Sequence, residues 1–426
     1  MSIDILVVGA YSREHAIAWK LKQLSRVGKI YIAPGNGGTH AVGEPISIGV
    51  MEFDKLVAFA EEKKVGLTVA GSDDPIVGGI GDAFRAHGLR IWSPSKVAAK
   101  LEGSKAFAKE LMRQANIPTA EFRVFTAHVD ALRYVHEKGA PIVVKASGLA
   151  LGKGVMVCRT VAEAENFLNE VMVKKIFKDS GNEVVIEEFL EGPEISIHAL
   201  SDGKDFIMFP TSQDHKTIGE NDTGKNTGGM GAIAPVPWVT DEQLLDIRKH
   251  IVAPAIATMA KRDTPFQGLL YPGLMMTKQG PKVIEFNSRF GCPEAEVYMR
   301  LLKTDLLDLL EASVDGTISK KNIEWQPGFA VTVIMASGGY PDAYKRDLPI
   351  AGIEEAEKIE GVVVFHAGTR YENGQTLTSG GRVLSVSAVG GTLKEALNAA
   401  YQACERIQFE GKYFRRDIGA KALRTG

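Results

Sequence analysis

The sequence predicts a multidomain protein of α/β and α+β class. The expected parts are a Rossmann-like N-terminal α/β domain, a central core interrupted by a small mobile lid, and a small C-terminal α+β domain. Three observations carry this. The chain has 426 residues, too many for one ordinary core, and a prior of about 150 residues per domain gives two to four. The first hundred residues alternate short apolar runs with helical spacing, the pattern of a parallel sheet. Beyond them, β-branched runs are joined by glycine-rich loops, and the last hundred residues return to mixed strand and helix patterns. The expected divisions are 1–100, 101–325 with the lid at about 120–190, and 326–426.

In chain order, Ile3 to Val8 reads as a strand ending at Gly9, followed by helical spacing from Arg13 to Leu21. Lys29 to Ala33 is a second strand, closed by Pro34-Gly35-Asn36-Gly37. Phe53 to Lys64 is helical, Leu67 to Ala70 is a third strand closed by Gly71-Ser72-Asp73-Asp74, and Leu89 to Trp92 is a fourth. Ligands of such sheets bind outside the carboxyl ends of the strands, so the loops after Gly9, Ala33 and Ala70 should converge. The loop Gly9-Ala10-Tyr11-Ser12-Arg13-Glu14-His15 lacks G-x-G-x-x-G spacing, which argues against a nicotinamide cofactor. Arg13 at a helix start, with free backbone N–H groups, suits a phosphate; a turn capped by Ser12 is the alternative. His15 taken alone reads as a structural histidine.

Leu101-Glu102-Gly103-Ser104-Lys105 leads into a helix from Ala106 to Gln114. Strands Pro141 to Lys145 and Val155 to Cys158 flank Ser147-Gly148-Leu149-Ala150-Leu151-Gly152-Lys153-Gly154. This loop joins two strands, unlike a Walker A loop. It suits a mobile hairpin whose backbone and Lys153 fold over phosphates, with Lys145 as a second charge; a plain flexible hairpin satisfies the loop equally. Glu183 to Phe189 is a strand, and Ile195 to Leu200 another. Free backbone groups at Glu188 to Leu190 between them can read an adenine edge, and Glu194 a ribose hydroxyl. Ser212-Gln213-Asp214-His215-Lys216 and Asn226-Thr227-Gly228-Gly229-Met230-Gly231 bracket a polar loop of the kind that carries function. Asp214 and His215 have no nucleophile of distinctive setting, so they are not a triad.

Pro281 to Gly291 is the stretch around which these pieces gather. Val283 to Phe286 reads as a buried strand, and residues two apart on a strand face one side, so Glu285 and Asn287 project together. Two hard oxygen donors suit Mg²⁺, which takes few protein ligands and the rest from phosphates and water. Arg289 continues that face and can pair with an oxyanion. Alone, the pair is equally satisfied by a solvated edge strand. Gly328 to Ala336, an alternating strand, then Val362 to Gly368, Arg382 to Ala388 and the helix Leu393 to Arg406 make the C-terminal module, which carries no motif of its own.

Composition removes several classes. The chain is 45% hydrophobic and 24% charged, with net charge −2, which opposes the basic field of a nucleic-acid protein. Cys158, Cys292 and Cys404 are far apart and odd in number, so neither a disulfide scaffold nor a zinc cluster is expected and a reducing compartment fits. The start Met1-Ser2-Ile3-Asp4 lacks a cationic, apolar leader, and no window approaches 18 apolar residues. A cytoplasmic protein with small-molecule partners, no membrane and no nucleic acid is expected.

Taken in order, the motifs resemble the ATP-grasp superfamily and, within it, the glycinamide ribonucleotide synthetase family (phosphoribosylamine–glycine ligases). The resemblance runs end to end, through Arg13-Glu14-His15-Ala16, Pro34-Gly35-Asn36, Leu101 to Lys105, Lys145 with Gly148 to Gly154, and Glu187-Glu188-Phe189-Leu190. It continues through Ser212 to Lys216, Asn226 to Gly231, Glu285-Phe286-Asn287, His366 to Thr369, Ser379 to Val383 and Arg416 to Gly419. It implies an ATP-dependent carboxylate–amine ligase of purine biosynthesis that joins glycine to 5-phosphoribosylamine through a glycyl phosphate. It implies Mg²⁺ or Mn²⁺ on Glu285 and Asn287. ATP would be held by Lys105, Lys145, Gly152, Gly154, Glu187, Glu188, Phe189, Leu190 and Glu194. Lys153, Arg289 and Asp214 take catalytic roles, and Arg13, Glu14, His15, Asn36, Lys216, Gly229, Met230 and Cys292 bind the substrates. A monomer or weak dimer is expected.

The departures from the family pattern cluster. Two glycines usually stand at Tyr11 and Ser12, Gly-Pro-Glu at Gly71-Ser72-Asp73, and Ala-Asp-Gly at Ala146-Ser147-Gly148. The usual Arg-Phe-Gly-Asp-Pro-Glu-Thr-Gln is here Arg289-Phe290-Gly291-Cys292-Pro293-Glu294-Ala295-Glu296. These positions border the acceptor and phosphate side, so a paralogue ligating a different carboxylate or amine, or an ATP-binding protein without turnover, are the competing expectations. Cys292 as a nucleophile is not expected, because no base can be named beside it.

Overall fold

The computed structural model describes residues 2–150 and 153–424. Its N-terminal sheet is all parallel, in the order Glu44–Pro45, Val27–Pro34, Ile3–Gly9, Leu67–Ala70, Ile91–Trp92. Ile5 to Val8 are fully buried because helices cover both faces of the sheet. The first helix, Ser12–Leu21, is capped by Tyr11 and not by Ser12: the Glu14 carboxylate turns back and accepts the Tyr11 N–H at 2.9 Å.

The segment 122–188 forms its own antiparallel sheet, in the order Phe122–Phe125, Val184–Glu188, Ile142–Ala146, Val155–Cys158. Helices His128–Lys138 and Val161–Leu168 cover one face through Tyr134, Val135 and Leu168, and the other face is left for a ligand.

A second antiparallel sheet is built on the long strand Gln267–Thr277, flanked by Gly280–Asn287 and by two short strands, Glu194–Ser196 and Ala199–Asp202. The single strand expected from Ile195 to Leu200 is broken. Pro272 stands opposite the break and has no N–H for the ladder; its carbonyl accepts from Ile197 N at 3.1 Å. The released residue, His198, instead accepts the Gly291 N–H at 3.1 Å.

The C-terminal sheet runs Gln213–Asp214, Gly231–Ala234, Phe329–Ala336, Arg382–Gly390, Val362–His366. Two of its strands come from the middle of the chain, so the polar loop after Ser212 is aimed by the C-terminal sheet. Phe329–Ala336, expected to alternate, is buried on both faces. Helix Glu294–Leu301 covers one side and helix Leu393–Arg406 the other. That second helix begins with a capping box between Thr392 and Glu395. Among the described residues, no helix is long and apolar enough to cross a membrane.

The C-terminal end is pinned by Arg415, whose side chain is fully buried. It forks onto Asp417 with two bonds of 2.7 Å and reaches Asp222 and the Thr217 carbonyl at 3.1 Å. Arg415→Met is expected to destabilise the fold by about 3 kcal/mol, since it leaves the Asp417 carboxylate with the Asn221 N–H at 2.7 Å but no cation; the partial exposure of Asp222 keeps the loss at the low end for a broken buried pair. Chemical denaturation checks this, with Asp222→Asn expected to cost less.

Candidate active site

The four larger sheets open onto one cavity of about 1270 Å³. Its centre is the strand Gly280–Asn287, where Glu285 and Asn287 stand on one side as their spacing requires. Burial would raise the Glu285 carboxyl, but Lys216, Lys145, Lys105 and Arg289 outweigh it and hold Glu285 at about 2. Asn287 Oδ1 accepts from Arg289 Nη2 at 3.2 Å. Among the described residues no three His, Cys, Asp or Glu side chains gather as a metal cluster. Two oxygen donors, one fully ionised and ringed by lysines, fit Mg²⁺ or Mn²⁺ arriving with a polyphosphate better than a metal caged by protein alone.

At one end, the lid and the central sheet make a slot. Lys145 Nζ donates to the Ile284 carbonyl at 3.0 Å and pairs with Glu187 Oε2 at 2.9 Å. Lys109 reaches the same oxygen at 3.1 Å, and burial pulls its ammonium down to about 8 against the attraction of Glu187. Glu188 holds Lys282 at 3.0 Å, Phe189 lies under the Arg159 guanidinium, and Leu190 completes the wall. Lys105 Nζ donates to the Gly148 carbonyl at 3.2 Å, and burial lowers its pKa. Lys153 and Gly154 also line the cavity; Gly152 lies outside the described residues. Glu194 pairs with Lys216 at 3.1 Å, and Lys216 reaches Glu285 at 3.7 Å.

At the other end lie Ala10, Tyr11, Arg13, Asn36, Asp73, Asp214, Arg289, Cys292 and Arg382. The expected convergence of the loops after Gly9, Ala33 and Ala70 is seen here. Arg13, however, is turned inward: its Nε meets Glu14 Oε1 at 2.6 Å and its Nη1 the Phe290 carbonyl at 3.1 Å. Arg289 is held by Glu102 at 2.9 Å. Asn36 Nδ2 donates to the Ala10 and His366 carbonyls, tying the first loop to the C-terminal module. Arg382 Nη1 donates to the Gly228 carbonyl and, at 2.8 Å, to that of Cys292. Burial pushes the Cys292 thiol up to about 11, which keeps it protonated.

Four expected substrate contacts do not line the cavity. Glu14 is buried behind the wall, where it accepts from Tyr11 N, Arg13 and, at 3.4 Å, Ser72 Oγ. His15 Nδ1 accepts the His366 N–H at 3.0 Å and is buried. Met230 is fully buried against Ile334 and Ala336. Gly229 sits one layer back, against Asp214 and Pro293, with φ +105°; a Cβ there would lie 2.6 Å from Asp214 Oδ1. The structure also names a base beside Cys292 that the sequence did not: Glu296 Oε1 accepts from its Sγ at 3.6 Å.

Four further residues belong to the site. Lys109 lies four positions after Lys105, one turn along the same helix face, and that spacing was a usable signal. Glu102 sits within a motif already singled out. Arg382 and Glu294 also fall in stretches singled out by the resemblance, Ser379 to Val383 and Arg289 to Glu296, but nothing local marked either side chain as a site residue.

The chain matches the phosphoribosylglycinamide synthetase N domain over residues 3–102, the ATP-grasp (A) domain over 103–295 and the C domain over 330–421. The phosphoribosylamine–glycine ligase of Caldanaerobacter subterraneus is 46% identical, over 98% of this chain and 100% of that protein. That of Rhodopirellula baltica is 44% identical, over 99% and 98%. The crystal structure of the Thermotoga maritima phosphoribosylamine–glycine ligase covers 98% of this chain and 100% of its own, with TM-score 0.86 and 32% identity. A biotin carboxylase from Campylobacter jejuni, 13% identical with TM-score 0.74 over 99% and 95% of the two chains, shares the fold.

Proposed function

The chain belongs to the phosphoribosylglycinamide synthetase family, and on that premise we propose that it ligates glycine to 5-phosphoribosylamine, converting ATP to ADP and phosphate. The observation that carries this reading is the union, in one cavity, of a lysine-lined nucleotide slot, the Glu285–Asn287 face and an arginine-rich far end. Adenine lies between Glu187 and Leu190, and Lys105, Lys145 and Lys153 neutralise the phosphates. Glu285 and Asn287 hold Mg²⁺ or Mn²⁺, which supplies electrostatic stabilisation of the phosphates when bound. The glycine carboxylate attacks the γ-phosphorus, giving glycyl phosphate and ADP. The amine then attacks the acyl carbon, and the C–O bond to phosphate breaks. Arg289, fixed by Glu102, orients the reacting oxyanions. The lid excludes water from an intermediate that hydrolyses readily.

Several departures have packing explanations that support retention of this activity. Ser147 Oγ accepts the Ala106 N–H at 3.2 Å and its carbonyl accepts from Lys105 N at 2.8 Å, docking the lid on the helix Lys105–Gln114. Ala295 is fully buried in the core. One contact favours the second reading, an altered acceptor: Ser12 Oγ meets Cys292 Sγ at 3.4 Å, so two departures form a single joined patch on the acceptor side.

The test is ADP release with ATP, Mg²⁺, glycine and freshly generated phosphoribosylamine, omitting each in turn. ADP and amide formed only with both substrates is the expected result. Silence from protein that still binds ATP with Mg²⁺ would sink the reading and move the search to other amines and carboxylates.

A further inference from the structure

Aminolysis of an acyl phosphate needs a base. An amine arriving as an ammonium ion must lose one proton before its lone pair can attack the carbonyl carbon. Resting on the proposed ligase reaction, we infer that Asp214 is the general base that deprotonates the amine acceptor. The carboxylate takes the ammonium proton, and the freed amine attacks the acyl carbon. The acyl C–O bond breaks with its electron pair going to phosphate, which also takes up the second N–H proton.

The other carboxylates lining the cavity are engaged. Glu187 holds Lys109 and Lys145, Glu194 holds Lys216, and Glu102 holds Arg289. Glu294 accepts from Ser196 and from Tyr271, at 2.9 and 2.6 Å. Asp73 faces Arg289 and Arg13, which overcome its burial and hold its pKa down. Asp74 is exposed at the rim of the N-terminal domain. Asp214 differs. It lines the cavity, forms no ion pair among the described residues, and its Oδ1 is buried with no hydrogen-bond partner; Glu187 Oε1 is likewise unpaired, but the other oxygen of Glu187 is held by two lysines. An unpaired buried carboxylate oxygen favours a proton or a cationic donor.

Its position fits the task. Asp214 lies two residues before Lys216, which reaches the Glu285 face, and it packs with Gly229 against Pro293, the residue after Cys292. It therefore lies at the acceptor end, on the segment that continues through Lys216 to the phosphate end. The charged and titratable groups around it are Glu294 from the helix Glu294–Leu301, Tyr271 from the central strand, Lys216 from its own segment and Arg382 from the C-terminal sheet. Burial, with Glu294 adding, raises its proton affinity well above that of an ordinary aspartate, against the opposing pull of Lys216 and Arg382. A base so placed loses activity as pH falls through its raised pKa.

The experiment separates the two half-reactions in the full-length protein. Hydroxylamine, already uncharged at neutral pH, captures an acyl phosphate as the hydroxamate without needing a base. In the unmodified protein, amide formation should fall on the acid side while hydroxamate formation, compared at equal concentration of uncharged hydroxylamine, stays flat over the same range. Asp214→Asn should lose amide formation on the order of a hundredfold or more, retain hydroxamate formation, and keep its thermal shift with ATP and Mg²⁺. Asp214→Glu should restore part of the amide rate. Equal acid limbs for both acceptors in the unmodified protein overturn the inference, as does an Asp214→Asn variant that makes amide at the normal rate or loses both products together. Absence of hydroxamate and amide alike from the unmodified protein would instead overturn the ligase reading itself.

Discussion

Glu285→Gln is expected to slow ADP formation by on the order of a hundredfold to a thousandfold, the scale of removing one preorganised electrostatic partner of the reacting phosphates. The substitution keeps shape and removes charge. In the native protein Glu285 is held at about 2, and so is ionised at neutral pH, because Lys216, Lys145, Lys105 and Arg289 surround it. Without that charge the four cations face one another, and the remaining donor, Asn287, is shared with Arg289. The metal requirement should therefore move to higher Mg²⁺ concentration, and ATP with Mg²⁺ should no longer raise the melting temperature as it does in the native protein. A Glu285→Gln protein with normal rate and normal Mg²⁺ dependence would remove that strand from the mechanism.

Acid is expected to unfold the protein steeply. His15, His198, His215 and His366 are buried, and their burial holds His15 at about 3, His215 and His366 at about 4, and His198 well below the ordinary 6.5. A histidine kept neutral in the folded state contributes stability that is whole above 6.5 and is lost as pH falls toward the folded value. Glu102, Asp214 and Glu296 oppose this, since burial raises them and the folded form gains their protons first. Below about pH 4.5 the unfolded chain begins to gain those three protons as well, and their opposition fades. Near pH 4 His15 and His198 are still neutral in the fold, His215 and His366 are about half protonated and Glu285 is ionised. The unfolded chain is then about two to three protons richer, so stability should fall by about 3 kcal/mol per pH unit. Denaturant midpoints between pH 6 and 3.5 check this, as about half that range lies on each side of the predicted break. His15→Asn, whose Oδ1 can still accept the His366 N–H, should lower the slope by one proton. A slope unchanged by that substitution would show that His15 titrates normally in the folded state.

Much of the site was legible because it is encoded at short range. The two-residue period of a strand fixed Glu285 and Asn287 on one face before any neighbour was known. The parallel order of the first strands placed the loops after Gly9, Ala33 and Ala70 at one edge. Gly148 to Gly154 read as a hairpin between strands, and strands Ile142–Ala146 and Val155–Cys158 do pair on either side of it. The errors arose where a distant group outweighed a local pattern. Pro272, more than seventy residues away, breaks the strand expected at Ile195 to Leu200. The Glu14 carboxylate, free to cap Tyr11, drew Arg13 inward.

The sequence by itself determined the class of the fold, the elements that carry the lysines of the cavity, and the common face of Glu285 and Asn287. Each of these depends on periodicities of two or 3.6 residues, or on motifs within a single turn or strand. Only the tertiary structure decided that Arg382 enters the site from the C-terminal sheet, that Lys109 shares Glu187 with Lys145, and that Glu14, His15 and Met230 lie behind the cavity wall. It also decided that Asp214 keeps an unpaired buried oxygen and, unlike Glu187, whose other oxygen holds two lysines, forms no ion pair among the described residues. Those outcomes are set by which charges meet across packed elements, and a Coulombic partner in a low-dielectric interior leaves no mark in the local sequence.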